Sequence, residues 1–154
     1  MTRYWLFKSE PSCFSIEDLK HMPHQTSPWD GIRNYQARNF MRDDMNIGDR
    51  AFFYHSSCTP PGIVGTMEIV SHAYPDDTAY DPTSDHPDPK STPENPRWFM
   101  VDVRFKQLFS TMISLETLKR YPELSSMRVL QKGNRLSILP VSPHEWAFIL
   151  NLIH

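Results

Sequence analysis

The sequence predicts an α+β domain, in which about five to six strands form a small closed or nearly closed β-barrel with peripheral short helices. Short aromatic and β-branched runs recur along the chain between proline- and glycine-containing turns. Helical patterns are few, short and placed at the ends of these runs. With 154 residues, of which 39% are hydrophobic and 12% aromatic, the chain can bury a core without disulfides or metals. We therefore predict a single domain over residues 1–154.

The first elements are an N-terminal strand and a short helix. The aromatic-rich run from Tyr4 to Ser9 has the composition of a strand and is ended by Glu10-Pro11. Ser15 and Asp18 have the spacing of a capping box, so a helix begins after Ser15. It ends near Met22-Pro23, because proline disfavours helical geometry in the residue before it.

A turn, a second helix and two strands follow. Proline and glycine make residues 27–31 a turn, and Asn34 is placed to cap a helix that runs to about residue 41. Strands are predicted at 51–55 and at about 63–70. Since the connection between these strands is short and contains two prolines and a glycine, we expect them to be antiparallel neighbours.

The C-terminal part adds two strands and two helices. Apolar side chains alternate along 98–105, which predicts a strand with one buried face. Ser114 is placed to cap a short helix at about 115–120, and a last strand covers about 136–139. The closing helix has the clearest start signal of the chain, because Ser142 begins a second capping box and is followed by proline.

Residues 75–96 interrupt this pattern. They contain six prolines, five aspartates and one glutamate against one lysine, and no glycine. The segment thus carries a charge of −5 within a chain of net charge −2, which leaves +3 on the remaining residues. Long segments without periodicity in a small domain are usually disordered or functional. We predict an acidic flap that lies on the surface.

Several functional classes lack their sequence signatures. The two cysteines, Cys13 and Cys58, form no CxxC pair, which predicts a reducing, cytoplasmic location. No metal site is expected, because a proline interrupts the spacing of His21 and His24, and His55 with Cys58 has no second ligand pair. No apolar run reaches the about 20 residues that a membrane helix needs, so no membrane partner is expected. The sequence contains no nucleophile elbow and no glycine-rich phosphate loop. We therefore expect no catalytic residues and no cofactor.

Polar and aromatic residues cluster where predicted strands and turns end. They are Lys8 and Ser9 at the first strand, Trp29 and Asp30 in the turn, and Tyr54 and His55 at another strand. Pockets form at the mouths of barrels, and a nucleobase can be held there by stacking on an aromatic ring. The alternative is that Trp29 belongs to the hydrophobic core.

A group of arginines follows the turn. Arg33, Arg38 and Arg42 lie in or beside the second predicted helix, where their guanidinium groups could contact phosphates. The alternative is that these arginines pair with Asp43, Asp44 or the acidic flap.

Seven strings of the sequence strongly resemble the EVE domain family, among them YWLFKSEP at 4–11, WDGIRNYQARN at 29–39 and GNRLS at 133–137. The resemblance extends from about Arg3 to Leu152. It implies a PUA-like fold and kinship with YTH domains, which bind methylated adenine in RNA through an aromatic cage. EVE domains look like readers of modified bases, and modified cytosine in DNA is the usual proposal.

The resemblance also implies roles for individual residues. Lys8 and Ser9 match a YTH pair that meets the base, Trp29 matches a cage tryptophan, and Arg135 matches a phosphate contact. Tyr74 is the candidate for a second cage aromatic. The expected base pocket comprises Lys8, Ser9, Trp29, Asp30, Asn34, Tyr54, His55 and Tyr74. The expected phosphate contacts are Arg33, Arg38 and Arg135.

We therefore expect a non-catalytic module that binds DNA or RNA and recognises a flipped, modified cytosine or adenine. A first alternative is a hydrolase of the ASCH type that acts on a modified nucleoside through Lys8, Ser9 and Glu10. Alternation along a strand argues against it, because three consecutive side chains do not share one face. A second alternative is a protein-interaction module that docks partners, as yet unknown, through the acidic flap.

Overall fold

The strands form a curled six-stranded half-barrel sheet, with a two-stranded sheet and short helices around it. The computed structural model describes residues 2–153. The elements are β1 Tyr4–Ser9, α1 Ile16–Lys20, β2 Thr26–Pro28, α2 Tyr35–Asn39, β3 Arg50–His55, β4 Gly62–Ile69, β5 Tyr74–Pro75, β6 Phe99–Met100, β7 Asp102–Ser114, α3 Leu115–Lys119, β8 Ile138–Val141 and α4 Pro143–Asn151. The main sheet has the order β2-β7-β4-β3-β1-β8, and β5 pairs with β6. This confirms the predicted α+β class.

The central strands β1 and β3 are covered on both faces. They run parallel to each other, and β8 pairs antiparallel with β1 on its other side. On one face Phe7 and Phe53 pack into a cluster that we call the Trp29 core. On the other face Leu6 and Phe52 pack into a second cluster, the Trp146 core. Burial on both faces explains why these strands are almost continuous apolar runs in the sequence.

Local capping signals start the first and last helices. Ser15 Oγ accepts a hydrogen bond from Asp18 N at 3.1 Å, and the Asp18 carboxylate accepts one from Ser15 N at 2.8 Å. Ser142 and Glu145 repeat this reciprocal pair at the start of α4, with distances of 3.1 and 2.9 Å. Both capping boxes predicted from the sequence are therefore confirmed.

Three features differ from the sequence prediction. The predicted turn at 27–31 begins within a strand, because β2 pairs with residues 102–104 of β7. β7 extends to Ser114 rather than ending at Phe105, because it continues to pair with β4 after its apolar alternation fades. Instead of following the chain mostly in sequential order, as we expect for such short connections, the strands place β1 between β3 and β8.

Residues 75–96 fold against the rest of the chain. Asp76 caps a short 3-10 turn at Asp77–Ala79, and the Trp98 indole N–H donates to Asp88 Oδ2 at 2.6 Å. The pairing of β5 with β6 holds the two ends of this segment together. No helix in residues 2–153 is long and apolar enough to cross a membrane.

Candidate nucleic-acid interface

A pocket of about 570 Å³ opens where β1 and β2 end. This volume lies in the range of small-molecule sites. Most of its lining comes from the end of β1 with the turn after it, from β2 with the turn after it, and from the 75–96 segment, and single residues before β2 and before β8 complete it. The lining residues are Lys8, Ser9, Glu10, Cys13, Phe14, Met22, Ser27, Pro28, Trp29, Asp30, Gly31, Ile32, Asp85, His86 and Ser137. The structure thus brings four of the predicted pocket residues together: Lys8, Ser9, Trp29 and Asp30.

Trp29 lies between the hydrophobic core and the pocket. It is only 7% exposed, and its ring makes edge contacts with Phe7 and Phe53 at centroid distances of 5.1 and 5.4 Å. Its backbone N–H donates to Val101 O at 2.8 Å, which ties the turn to the start of β7. These contacts fix the ring, and its remaining exposed strip forms part of the pocket wall. Trp29 is therefore both a core residue and a wall residue.

Lys8 lines the pocket at the end of β1. Its backbone N–H donates to Ser137 O at 2.8 Å, and its Nζ lies 5.9 Å from the centroid of the Tyr54 ring. Partial burial lowers the pKa of the Lys8 amine, because the charged form loses hydration. Across residues 2–153, no carboxylate lies within ion-pair distance of Lys8 Nζ. The amine can therefore donate hydrogen bonds to a ligand.

Ser9 contributes acceptor capacity rather than a nucleophile. Its hydroxyl donates to Phe14 O at 2.7 Å, which leaves the lone pairs of Oγ for a ligand. Glu10 lies beyond the end of β1, so Lys8, Ser9 and Glu10 all line the pocket despite strand alternation. An activated serine gives its proton to a side-chain base. Here the proton of Ser9 goes to a backbone carbonyl, which is not that arrangement.

A buried ion pair holds the Trp29-Asp30-Gly31 turn in place. Asp76 is fully buried and accepts from Gly31 N at 2.8 Å and from Arg33 Nη1 at 3.0 Å. Arg33 Nη2 also donates to His86 O at 2.7 Å. Burial by itself raises the pKa of Asp76, but the hydrogen bonds from Thr78, Gly31 and Arg33 outweigh it and lower the pKa. The carboxylate therefore stays charged and connects the turn to the 75–96 segment.

Asp30 and His86 face each other at the rim of the pocket. Asp30 Oδ1 and His86 Nε2 are 3.9 Å apart. Burial raises the pKa of the Asp30 carboxyl because the charged form loses hydration, and the nearby Asp76 carboxylate raises it further. The pocket thus has a carboxylate and an imidazole on one wall.

The other four residues of the predicted base pocket lie elsewhere. Asn34 caps α2, and Tyr54 is 3% exposed within the Trp146 core. His55 Nε2 accepts from the first backbone N–H of α1 at 3.1 Å. The Tyr74 hydroxyl donates to a carboxylate of β7. Each of these side chains serves a contact within the fold.

The three predicted phosphate contacts also differ from one another. Arg33 is bound to Asp76 and His86, as the alternative of pairing with the acidic flap anticipated. Arg38 donates to a side-chain oxygen of the next residue and to a backbone carbonyl of residue 97. Arg135 is exposed, and its side chain has no hydrogen bond or ion pair within residues 2–153. It lies two positions before Ser137, which lines the pocket.

Sequence reasoning did not single out Asp76 or His86 as site residues. Both lie in the acidic, proline-rich segment, 45 and 53 positions along the chain from the groups they contact at Gly31 and Arg33. The only sequence signal was the segment itself, which carries no periodicity that places its side chains. Within residues 2–153 no group of three or more His, Cys, Asp or Glu side chains is arranged to hold a metal ion.

The model of the EVE domain family matches residues 3–152 of the chain. The chain belongs to the EVE domain family. Mouse thymocyte nuclear protein 1 is 47% identical to this EVE domain over 99% of the chain and 74% of its own length. Because that relative is named as a nuclear protein, the cytoplasmic location stays a prediction.

Two solved structures show the same fold as this EVE domain. A protein from Pseudomonas syringae is 49% identical, with a TM-score of 0.93 over 98% of this chain and 99% of its own. The human THYN1 protein, solved in complex with DNA that contains 5-methylcytosine, is 46% identical, with a TM-score of 0.93 over 99% of this chain and 98% of its own.

Proposed function

We propose that this EVE domain binds nucleic acid that carries a modified base, and that the base turns out of its stack into the pocket beside Trp29. The observation that carries the proposal is the pocket, which joins an aromatic wall to Lys8, Ser9 and Asp30. The complex of the human relative with 5-methylcytosine DNA supports it, because that protein has nearly the same backbone. Modified cytosine in DNA is the first ligand to test, and modified adenine or RNA the next.

The shape of the pocket explains why the base has to leave the stack. A concave site cannot reach the edge of a base inside a duplex, so proteins with such sites extrude the nucleotide. The wall formed by Trp29 and Pro28 then contacts the base, and apolar groups such as Met22 surround a methyl substituent. The edge contacts from Phe7 and Phe53 keep the indole from moving when the base enters.

The polar groups of the pocket complement the edge of cytosine. Cytosine presents an amino group that donates and two positions, a ring nitrogen and a carbonyl, that accept. Lys8 donates toward the accepting positions, whereas Ser9 and Asp30 accept from the amino group. Since burial strengthens such contacts, a few of them suffice for orientation and specificity.

Attraction to the phosphate backbone is weak in this chain. The net charge is −2 and the 75–96 segment carries −5. Non-specific binding depends on neutralising phosphates with basic side chains, so bulk DNA is a poor ligand. Among the described residues, Arg135 is the predicted phosphate contact whose side chain makes neither a hydrogen bond nor an ion pair, and it lies close in sequence to the pocket residue Ser137. Affinity therefore depends mainly on the pocket.

Binding to oligonucleotides that differ only in one base tests the proposal. Fluorescence anisotropy at fixed salt compares 5-methylcytosine, cytosine, N6-methyladenine and adenine in DNA and in RNA. We expect a modified base to bind about tenfold more tightly than its unmodified partner, from one apolar contact and one or two hydrogen bonds. Equal, weak binding of every oligonucleotide would exclude the function.

Arg135→Gln tests the predicted phosphate contact separately. The steepness of the plot of log K against log salt should decrease by about one unit, as expected for one lost phosphate contact. The preference for the modified base should not change. Arg120→Gln is the matched control, because Arg120 is also exposed but pairs with Glu116 on α3. An unchanged slope in Arg135→Gln would remove this residue from the interface.

A further inference from the structure

We infer that Asp30 and His86 form a pair of hydrogen-bond acceptors that selects bases with an exocyclic amino group. The inference rests on the proposed function, since it assumes that a base enters this pocket. It names the ligand class as cytosine-type or adenine-type bases and makes keto pyrimidines such as thymine poor ligands. His86 thereby becomes a specificity-determining residue, although it lies 55 positions after Gly31 in the sequence.

The position of the His86 ring is fixed from three sides. Its backbone oxygen accepts two hydrogen bonds from Arg33, at 3.1 Å from Nε and 2.7 Å from Nη2. Its ring lies against the α-carbon of Gly31, where an added Cβ would come within 2.8 Å of the imidazole. Its Nδ1 lies 2.9 Å from Thr78 Oγ1. The remaining nitrogen, Nε2, faces Asp30 at the pocket rim.

The hydrogen bonds around Thr78 decide which nitrogen of His86 carries the proton. The single hydroxyl proton of Thr78 goes to the charged carboxylate of Asp76. Thr78 Oγ1 must therefore accept from His86, so Nδ1 holds the proton in the neutral ring. Arg33 Nη2 is also 3.3 Å from Nδ1, but its shorter bond of 2.7 Å goes to the His86 carbonyl. Nε2 consequently presents a lone pair to the pocket.

This assignment leaves two acceptors facing each other without a proton between them. Asp30 Oδ1 and His86 Nε2 are 3.9 Å apart, which is too long for a direct hydrogen bond. An amino group has two protons and can donate one to each acceptor. The carbonyl oxygen of thymine at the same place would face two lone pairs, and specificity often depends on such unpaired contacts.

The decisive experiment compares 5-methylcytosine with thymine. The two bases have the same methyl group, but the amino group of one is a carbonyl oxygen in the other. Single-stranded oligonucleotides that are otherwise identical remove differences in base pairing. We expect the wild type to bind 5-methylcytosine at least about tenfold more tightly than thymine.

Two variants test each partner of the pair. His86→Ala keeps the backbone carbonyl that Arg33 binds, and it should reduce the ratio of the two affinities by about threefold to tenfold. Asp30→Asn should reduce the ratio toward one, because an amide can donate to the thymine carbonyl as well as accept from an amino group. His72→Ala, at an exposed histidine outside the pocket lining, should leave the ratio unchanged.

The possible failures are distinguishable. If wild type binds 5-methylcytosine and thymine equally, and both more tightly than cytosine, the acceptor pair is wrong while the proposed function stands. An unchanged ratio in His86→Ala, with thermal unfolding like that of the wild type, also overturns the inference. If no modified base is preferred to its unmodified partner, both the proposed function and the inference fail.

Discussion

The two faces of the central sheet bury their tryptophans to the same extent and use them differently. Trp29 is 7% exposed and Trp146 is 8% exposed. Trp146 stacks on Phe52 and Tyr4 at centroid distances of 4.1 and 4.7 Å, and the rest of α4 seals that side. Trp29 makes edge contacts and is bordered by the polar 75–96 segment, which leaves a pocket. The degree of burial alone thus does not distinguish a pocket wall from a closed core.

Truncation of the two tryptophans is the strongest test of this difference. Trp29→Ala and Trp146→Ala should each lower the free energy of unfolding by about 3–5 kcal/mol, because both remove a large buried ring. Only Trp29→Ala should also abolish the preference for a modified base. Urea unfolding measures the free energy of unfolding, and fluorescence anisotropy with folded protein measures the preference for the modified base. Equal loss of base preference in the two variants would break the comparison.

The pocket side depends on the buried ion pair between Arg33 and Asp76, and no buried ion pair of residues 2–153 lies in the Trp146 core. Arg33→Ala leaves the fully buried Asp76 without its cation, and such losses cost about 3–5 kcal/mol. Arg120→Ala is the control, because it removes only an exposed i,i+4 pair with Glu116, worth about 0.3–0.5 kcal/mol. Chemical denaturation of both variants gives the difference. A loss below about 1 kcal/mol in Arg33→Ala would show that the buried ion pair does not stabilise the fold.

Two glycines with nearly the same φ distinguish the cost of backbone strain from the cost of a clash between an added Cβ and the His86 ring. Gly31 and Gly133 have φ values of +80° and +79°, so alanine at either position costs about 1–2 kcal/mol. A Cβ at Gly31 also meets the His86 ring at 2.8 Å, whereas nothing lies within 4 Å at Gly133. Gly31→Ala should therefore destabilise the protein more, by about 1 kcal/mol or above, and weaken base binding. Equal thermal shifts in the two variants would refute the contact.

The smallest expected effect concerns the carboxylates on the pocket side. The pKa of Asp30 is raised in the folded state, so the folded protein binds more protons than the unfolded chain between the ordinary pKa of Asp and the raised value. Stability from this group is therefore lost as the pH rises through that window. Asp30→Asn should raise Tm slightly at neutral pH and lower base affinity.

Asp81→Asn is the matched control with the opposite sign. Hydrogen bonds from Thr83 lower the pKa of Asp81, so its carboxylate stabilises the fold at neutral pH. This contribution is lost as the pH falls through the lowered pKa. Asp81→Asn should therefore lower Tm at neutral pH. Tm of the wild type and the variant, measured from acid to neutral pH, tests this. A shift of the same sign in both variants would contradict the raised pKa assigned to Asp30.

Much of the fold follows from local signals in the sequence. Both capping boxes, at Ser15 and Ser142, act through residues three positions apart, and the structure confirms them. The full length of β7 was missed because its residues after Phe105 are mostly exposed and carry no apolar period. β2 was missed because Pro28 is a turn signal. Proline also fits an edge strand such as β2, because no further strand there needs the backbone N–H that proline lacks.

The site was predictable only where its residues are close in sequence. Lys8 and Ser9 end the first strand, and Trp29 lies in a turn marked by proline and glycine, so local patterns in the sequence indicate all three. Tyr54 pairs with Lys8 in register, but alternation along β3 turns its ring toward the Trp146 core. The contacts of His86 depend on how a long segment folds back on the turn, and no local pattern carries that information.

The 75–96 segment, which carries His86, is held at both of its ends by a short pair of strands. Its ends are held by the pairing of Tyr74–Pro75 with Phe99–Met100, so the chain between them begins and finishes at one place. Lengthening a loop whose ends are already together costs little, about 0.6 kcal/mol for each doubling. Substitutions, insertions or deletions here can therefore alter which ligand is accepted without disturbing strand register. In evolution, ligand choice can therefore change through positions of this segment other than Asp76, whose ion pair with Arg33 is needed for stability.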